Sequence, residues 1–103
     1  MNTKTYRQGD VLLIPVDEIP AGKVKTKKIC LALGEVTGHH HSIFSGGAVG
    51  FADDEEALAE FVQVEQEVEV EHQEHDNIAL PPGKYRSAIQ HEYTPEALKK
   101  VAD

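Results

Sequence analysis

The clearest pattern in the chain is the stretch FVQVEQEVEVEH at residues 61–72. Its valines share one parity and its glutamates share the other, and Gln66 interrupts the run of valines. Successive side chains of a β-strand point to opposite faces of a sheet. The alternation therefore predicts a strand with one buried face and one solvent-facing side, which favours a β-rich fold.

Short apolar or β-branched segments, separated by glycine and proline, lie on both sides of that stretch. These segments are residues 5–16, 23–33, 39–45, 48–52, 78–80 and 84–93. Their close spacing and turns such as Pro81-Pro82-Gly83 predict an all-β, mainly antiparallel fold, either a small barrel or a sandwich. Thr94 followed by Pro95 has the chemistry of a helix start, so a short C-terminal helix is expected.

Length and composition indicate one domain spanning residues 1–103. The 40% hydrophobic content is enough for a folded core. Apolar runs such as residues 11–14 are too short to cross a bilayer, and the first residues lack the apolar core of an export signal. We therefore expect a cytoplasmic protein without a membrane partner. The single cysteine, Cys30, is expected to be a small buried hydrophobe.

The formal net charge of −8 is concentrated in one part of the chain. Residues 53–76 contain eleven Asp and Glu and no Lys or Arg. Such a field repels phosphate backbones, so nucleic acid is not favoured as a partner. It would attract cations or a basic protein partner, or it would simply keep a strand face soluble.

Five of the six histidines fall into two short groups. The first group is His39-His40-His41; alternate side chains on a strand share a face, so His39 and His41 should point together and His40 away from them. In the second group, His72 continues the parity of the buried valines. His75 can join His72 only if the chain turns between them.

The two histidine pairs predict a site for a divalent transition metal. Neutral imidazole is the commonest protein ligand for such ions. The four predicted ligands are His39, His41, His72 and His75. Four nitrogen donors suit zinc best. Iron, manganese or nickel remain open, particularly if a carboxylate takes part.

Nearby carboxylates are the second set of candidates. Glu71, Glu74 and Asp76 could replace one histidine or orient one by a hydrogen bond. His40 is expected to lie outside the metal site because it faces away. His91 shares a parity with residues of the last strand and is expected to be a packed or edge residue, with a role as a fifth ligand as the alternative.

The strings TGHHHSI and EHQEHDNIALPPGKYRSAIQHEYTPE resemble a family of small uncharacterised proteins from bacterial and phage genomes. The pattern of that family is roughly RxGDVLLIPV, GEVTGHxH, HxEH, IxLPPGxYxV and QxEYxP, and it covers most of the chain apart from residues 46–60. The resemblance implies that the motif histidines are His39, His41, His72 and His75. It places His40 at a variable position and often has arginine where His91 stands. It implies no particular activity.

A looser similarity is to the cupins, which are barrels with an H-x-H pair and a later P-x-G segment followed by histidine. His39 and His41 match the pair, and residues 81–83 match the later turn. The glutamate expected soon after the pair and the histidine expected after the turn are both missing. The similarity therefore implies a cupin-like barrel without a standard cupin site.

Three functions remain open from the sequence. The first is a metal-binding domain of unassigned role. The second is a metal-dependent hydrolase or other metalloenzyme, in which three histidines hold the ion and Glu74 is the candidate general base. The third is a metal-free accessory module of a phage or host that binds a basic partner through its acidic face. Exposed strand edges would also allow a homodimer.

Overall fold

The computed structural model describes residues 4–33 and 38–90, which form ten β-strands and no helix. The strands are β1 Tyr6–Gln8, β2 Val11–Pro15, β3 Val24–Lys25, β4 Ile29–Leu33, β5 His40–Ile43, β6 Ala48–Ala52, β7 Phe61–Val64, β8 Val68–Val70, β9 Ile78–Leu80 and β10 Gly83–Ile89. Every strand pair is antiparallel, which confirms the predicted fold class.

The strands form one large sheet and two small ribbons. The sheet has six strands in the order β1-β2-β10-β7-β6-β3, and the ribbons are β4-β5 and β8-β9. The core lies where the ribbons meet the sheet, because buried residues of both belong to one hydrophobic cluster. The sheet contributes Val11, Leu13, Val62, Val64 and Tyr85, and the ribbons contribute Leu31, Ala32, Ile43, Val68, Val70 and Leu80.

The described part of the chain does not form the closed barrel that was one of the two expected architectures. A barrel requires its first and last strands to pair. Here β1 and β3 stand at opposite ends of the strand order and remain edges of the sheet. The predicted C-terminal helix falls outside the described residues. Across residues 4–33 and 38–90 there is no helix with the length and hydropathy needed to cross a membrane.

The valine-rich stretch is two strands rather than the single predicted strand. The backbone N–H groups of Glu65 and Gln66 both donate to the carbonyl oxygen of Gly47, at 2.7 and 3.1 Å, and this interrupts the ladder. The interruption spans three residues, so the valines of β7 and β8 keep the same parity and all are buried. Consequently β8 leaves the large sheet, pairs with β9, and carries His72 toward β5.

Residues 5–16, predicted as one strand, form the hairpin β1–β2. Gln8 pairs with Val11, so Gly9 and Asp10 are a two-residue turn. Gly9 has a φ of 60°, whereas Asp10 has a negative φ, as in the type II′ turn that suits the twist of a hairpin. Residues 23–33 are likewise divided, into β3 and β4.

Candidate metal centre

The imidazole rings of His39, His41, His72 and His75 lie side by side, and we refer to them as the histidine cluster. The ring of His72 is central, with its centroid 4.3 Å from that of His41, 4.6 Å from that of His75 and 5.5 Å from that of His39. The rings of His41 and His75 are 6.0 Å apart. The ring of His72 is thus adjacent to the rings of the other three predicted ligands.

A short backbone bridge between β5 and the end of β8 brings the two histidine pairs together. The N–H of Ser42 donates to the carbonyl of Glu71 at 3.0 Å, and the N–H of Glu71 donates to the carbonyl of Ser42 at 2.8 Å. In this antiparallel arrangement His41, which precedes Ser42, lies opposite His72, which follows Glu71. Directly opposite residues are close neighbours across strands, which explains the short distance between their rings.

A turn after His72 returns His75 to the cluster. The Nδ1 atom of His72 accepts hydrogen bonds from the backbone N–H groups of Glu74, at 3.0 Å, and His75, at 3.2 Å. The side chain of His72 therefore holds the turn that the spacing of the two histidines required.

The β1–β2 hairpin also contacts the cluster, beside the two segments that carry the histidines. The sequence did not predict this contact. Gln8 Oε1 lies 2.8 Å from His41 Nδ1, and Asp10 Oδ1 lies 3.9 Å from His41 Nε2. A Cβ atom on Gly9 would come within 2.7 Å of His75 Nε2, so the ring packs directly against the glycine backbone. The segment from Arg7 to Val16 did contain a signal for this hairpin. Its Gln-Gly-Asp sequence is typical of a turn and would be unusual inside a continuous strand.

The buried side chain of Gln8 determines which nitrogen of His41 carries the proton. Gln8 is 3% exposed, and its Nε2 donates to the carbonyls of Val70 at 2.8 Å and Asp76 at 3.0 Å. Both amide hydrogens are thereby used, so Oε1 faces His41 as an acceptor and His41 Nδ1 must be the donor. The lone pair of neutral His41 is then on Nε2. Metal-binding histidines are usually held by such a hydrogen bond from the other nitrogen.

His72 has the opposite arrangement. Because its Nδ1 accepts two backbone N–H groups, the proton of the neutral ring is on Nε2. A metal bound through His72 would therefore compete with the N–H groups of Glu74 and His75 or require the ring to change its protonated nitrogen.

The electrostatics of the cluster keep its most buried ring neutral. Burial lowers the pKa of His41 to about 4, assisted by positive charge on His72, His75 and His40 and opposed by Asp10. Burial also lowers the pKa of His72, with charge on His75 and His39 acting in the same direction. Neutral imidazole is the form that binds metal ions.

The carboxylates proposed from the sequence lie at the margin of the cluster. Glu74 Oε1 is 3.8 Å from His39 Nδ1, and its side chain is 66% exposed. Glu71 contributes its backbone to the bridge with Ser42, and Asp76 contributes its carbonyl to Gln8.

His40 points away from the cluster, as strand alternation predicts. Its Nδ1 lies 2.7 Å from the Ser42 hydroxyl, and its ring contacts the ring of Phe44. His91 falls outside the described residues. Within residues 4–33 and 38–90, no three His, Cys, Asp or Glu side chains stand with their donor atoms already arranged to hold a metal ion.

Comparison with known protein families gives a match. Residues 7–90 match the family described as a domain of unknown function, DUF8820. This range includes the β1–β2 turn, all of β2 and every member of the histidine cluster. Neither the curated proteins nor the solved structures include a significant match to the chain.

Proposed function

Because the chain belongs to the DUF8820 family, whose description assigns no activity, we propose a function from the site itself: the protein binds a divalent transition metal at the histidine cluster. The observation that supports this most directly is the state of His41. It is 3% exposed, its Nδ1 is held by Gln8, which leaves Nε2 with the lone pair, and its ring lies beside the rings of His72 and His75. A buried imidazole fixed in this way is suited to donate to a metal.

The spacing of the rings fits a shared ion. Nitrogen lies roughly 2.1 Å from a bound zinc, which places the centroids of two coordinating imidazoles about 5 Å apart. The centroid distances between the ring pairs 39–72, 41–72, 41–75 and 72–75 range from 4.3 to 6.0 Å. Binding would require the rings of His39, His72 and His75 to rotate so that their nitrogens meet at one point with Nε2 of the fixed His41 ring. The nitrogen-rich set favours zinc, and iron, manganese or nickel are the alternatives.

Metal content and affinity test this proposal directly. The untagged protein, stripped with chelator and titrated with zinc, should bind about one ion per chain. His41→Ala should weaken binding at least tenfold, because it removes the fixed nitrogen donor. His40→Ala is the matched control: it removes the adjacent imidazole, which faces away from the cluster, and should bind zinc like the parent protein.

A second variant separates loss of a ligand from loss of folding. His75 is exposed, so His75→Ala should remain folded by circular dichroism and still bind zinc less tightly. If the parent protein binds no zinc, or if the His40 and His41 variants bind it equally, the proposal is wrong. The acidic face with Glu65, Glu67 and Glu69 would then be the better candidate, as a contact surface for a basic protein.

The coordination number of the bound ion distinguishes a structural role from a catalytic one. X-ray absorption showing four protein ligands would indicate a structural site. Three protein ligands and a water would favour a metalloenzyme, with Glu74 at the margin as the candidate base.

A further inference from the structure

The carboxylate of Asp10 faces the histidine cluster. Its Oδ1 lies 3.9 Å from His41 Nε2, and its side chain is 57% exposed. Within the described part of the chain this carboxylate forms no other hydrogen bond or ion pair. Its backbone is fixed, because the N–H of Gln90 donates to the Asp10 carbonyl at 2.7 Å.

The two facing atoms are both electron-pair donors. Gln8 holds the proton of His41 on Nδ1, so Nε2 presents a lone pair toward the negatively charged carboxylate. Neither atom can donate a hydrogen bond to the other. A cation placed between them would be attracted by both, which is the chemistry of a shared metal ion.

The distance between these atoms is close to that of two ligands of one ion. With ligand bonds of about 2.1 Å, two donor atoms lie roughly 3 Å apart at an octahedral angle and about 3.4 Å apart at a tetrahedral angle. The observed 3.9 Å is slightly longer, so a small movement of the exposed Asp10 side chain would bring both atoms to one ion. The type II′ turn fixes the approach of Asp10, since Gly9 packs against His75 and Gln8 bonds to His41.

We propose that Asp10 is an oxygen ligand of the metal, so that the site combines histidine nitrogens with one carboxylate. This inference rests on the proposed function, since it assigns a further ligand to the same ion. A carboxylate makes the site more suitable for manganese(II), which prefers oxygen donors, than an all-histidine set would be. Asp10 would therefore determine metal preference, and the loss of Asp10 should affect manganese more than zinc.

Titration of three proteins with Mn(II) and Zn(II) tests the assignment. They are the parent protein, Asp10→Asn and the matched control Asp17→Asn. Both substitutions remove one negative charge from an exposed position, but Asp17 follows the far end of β2, roughly 17 Å away along the strand. Asparagine is well tolerated in turns, so the hairpin should be retained. Binding of Mn(II) can be followed by loss of the paramagnetic resonance signal of the free ion.

We expect Asp10→Asn to weaken Mn(II) binding at least tenfold and Zn(II) binding by a smaller factor, while Asp17→Asn matches the parent protein. The difference should persist in 1 M salt, where the Debye length is about 3 Å and long-range attraction is screened.

Equal affinities of Asp10→Asn and the parent protein would refute the role of Asp10 while leaving the histidine site intact. Equal weakening in both variants, abolished by salt, would also refute it. If the parent protein binds neither metal, the proposed function and this inference both fail.

Discussion

The contact between Gln8 and His41 links folding to the chemistry of the site. The Gln8 amide nitrogen joins β1 to the end of β8 and to the loop before β9, and the oxygen of the same buried side chain accepts a hydrogen bond from His41 Nδ1–H. A buried polar group left without a partner costs about 1–3 kcal/mol. The hydrogen bonds that stabilise the core therefore also keep the His41 ring in one orientation and one protonation pattern.

The low pKa of His41 predicts how the stability of the metal-free protein depends on pH. The pKa is about 4 in the folded protein and 6.5 for an ordinary histidine. The unfolded chain therefore binds a proton at this residue as the pH falls below 6.5, whereas the folded protein does not. The free energy of unfolding should decrease between pH 6.5 and pH 4, on the order of 3 kcal/mol in all. His72, whose pKa is also lowered, contributes in the same direction.

Urea unfolding at a series of pH values measures this effect. His41→Ala should flatten the decrease in stability below pH 6.5, whereas His40→Ala should keep it. A parent protein whose stability is constant or increases as the pH falls over that range would show that burial does not keep His41 neutral.

At the scale of secondary-structure elements, the β1–β2 turn should be sensitive to the side chain at Gly9. Gly9→Ala introduces a Cβ at a φ of 60° and within 2.7 Å of His75 Nε2. The matched control is Gly22→Ala, because Gly22 has a φ of 93° and no atom within 4 Å of an added Cβ. Both variants should lose about 1–2 kcal/mol from backbone strain. Only Gly9→Ala should also displace the His75 ring and weaken zinc binding.

Denaturant unfolding and the imidazole resonances of His75 distinguish the two effects. A shift of the His75 resonances in Gly9→Ala, absent in Gly22→Ala, would support the packing of the ring against the turn. Unchanged His75 resonances and unchanged zinc affinity in Gly9→Ala would contradict it.

The sequence predicted the elements better than their boundaries. Alternation in residues 61–72 correctly indicated which valines are buried, because the period of two is a local property of a strand. It could not show that the strand breaks at Glu65 and Gln66, since the carbonyl that captures their N–H groups belongs to Gly47. The break depends on a contact between segments distant in the chain.

The candidate site shows the same limit. Strand parity, together with a turn after His72, was enough to predict that the two histidine pairs could meet. The contribution of Gln8 and Asp10 was not predicted, because it depends on β1 packing beside β9 and on the bridge between Ser42 and Glu71. Gln8 is 33 residues from His41 and 62 from Val70. Local patterns contain no information on such pairings.

At the scale of the whole molecule, the histidine cluster lies where all three sheets meet. The β1–β2 turn belongs to the six-stranded sheet, His41 belongs to the β4-β5 ribbon, and His72 lies two residues beyond β8 of the other ribbon. The described strands connect these sheets mainly through side-chain packing and the short Ser42–Glu71 bridge. An ion bound by residues of both ribbons would add a direct link between them.

Zinc should therefore raise the thermal stability of the whole domain. A ligand that binds only the folded state stabilises it by about 2.7 kcal/mol at a free concentration of one hundred times its dissociation constant. For a domain of roughly 100 residues, each kcal/mol raises the melting temperature by about 4–8 °C, so an increase of roughly 10–20 °C is expected.

Calorimetry of the protein with zinc, and again after addition of excess chelator, measures the change and its reversal. His41→Ala should show a smaller zinc-dependent increase, because its folded state lacks the fixed nitrogen donor and binds zinc more weakly. An equal increase in that variant would mean that zinc acts elsewhere on the protein, and the link between the sheets would then not involve the cluster.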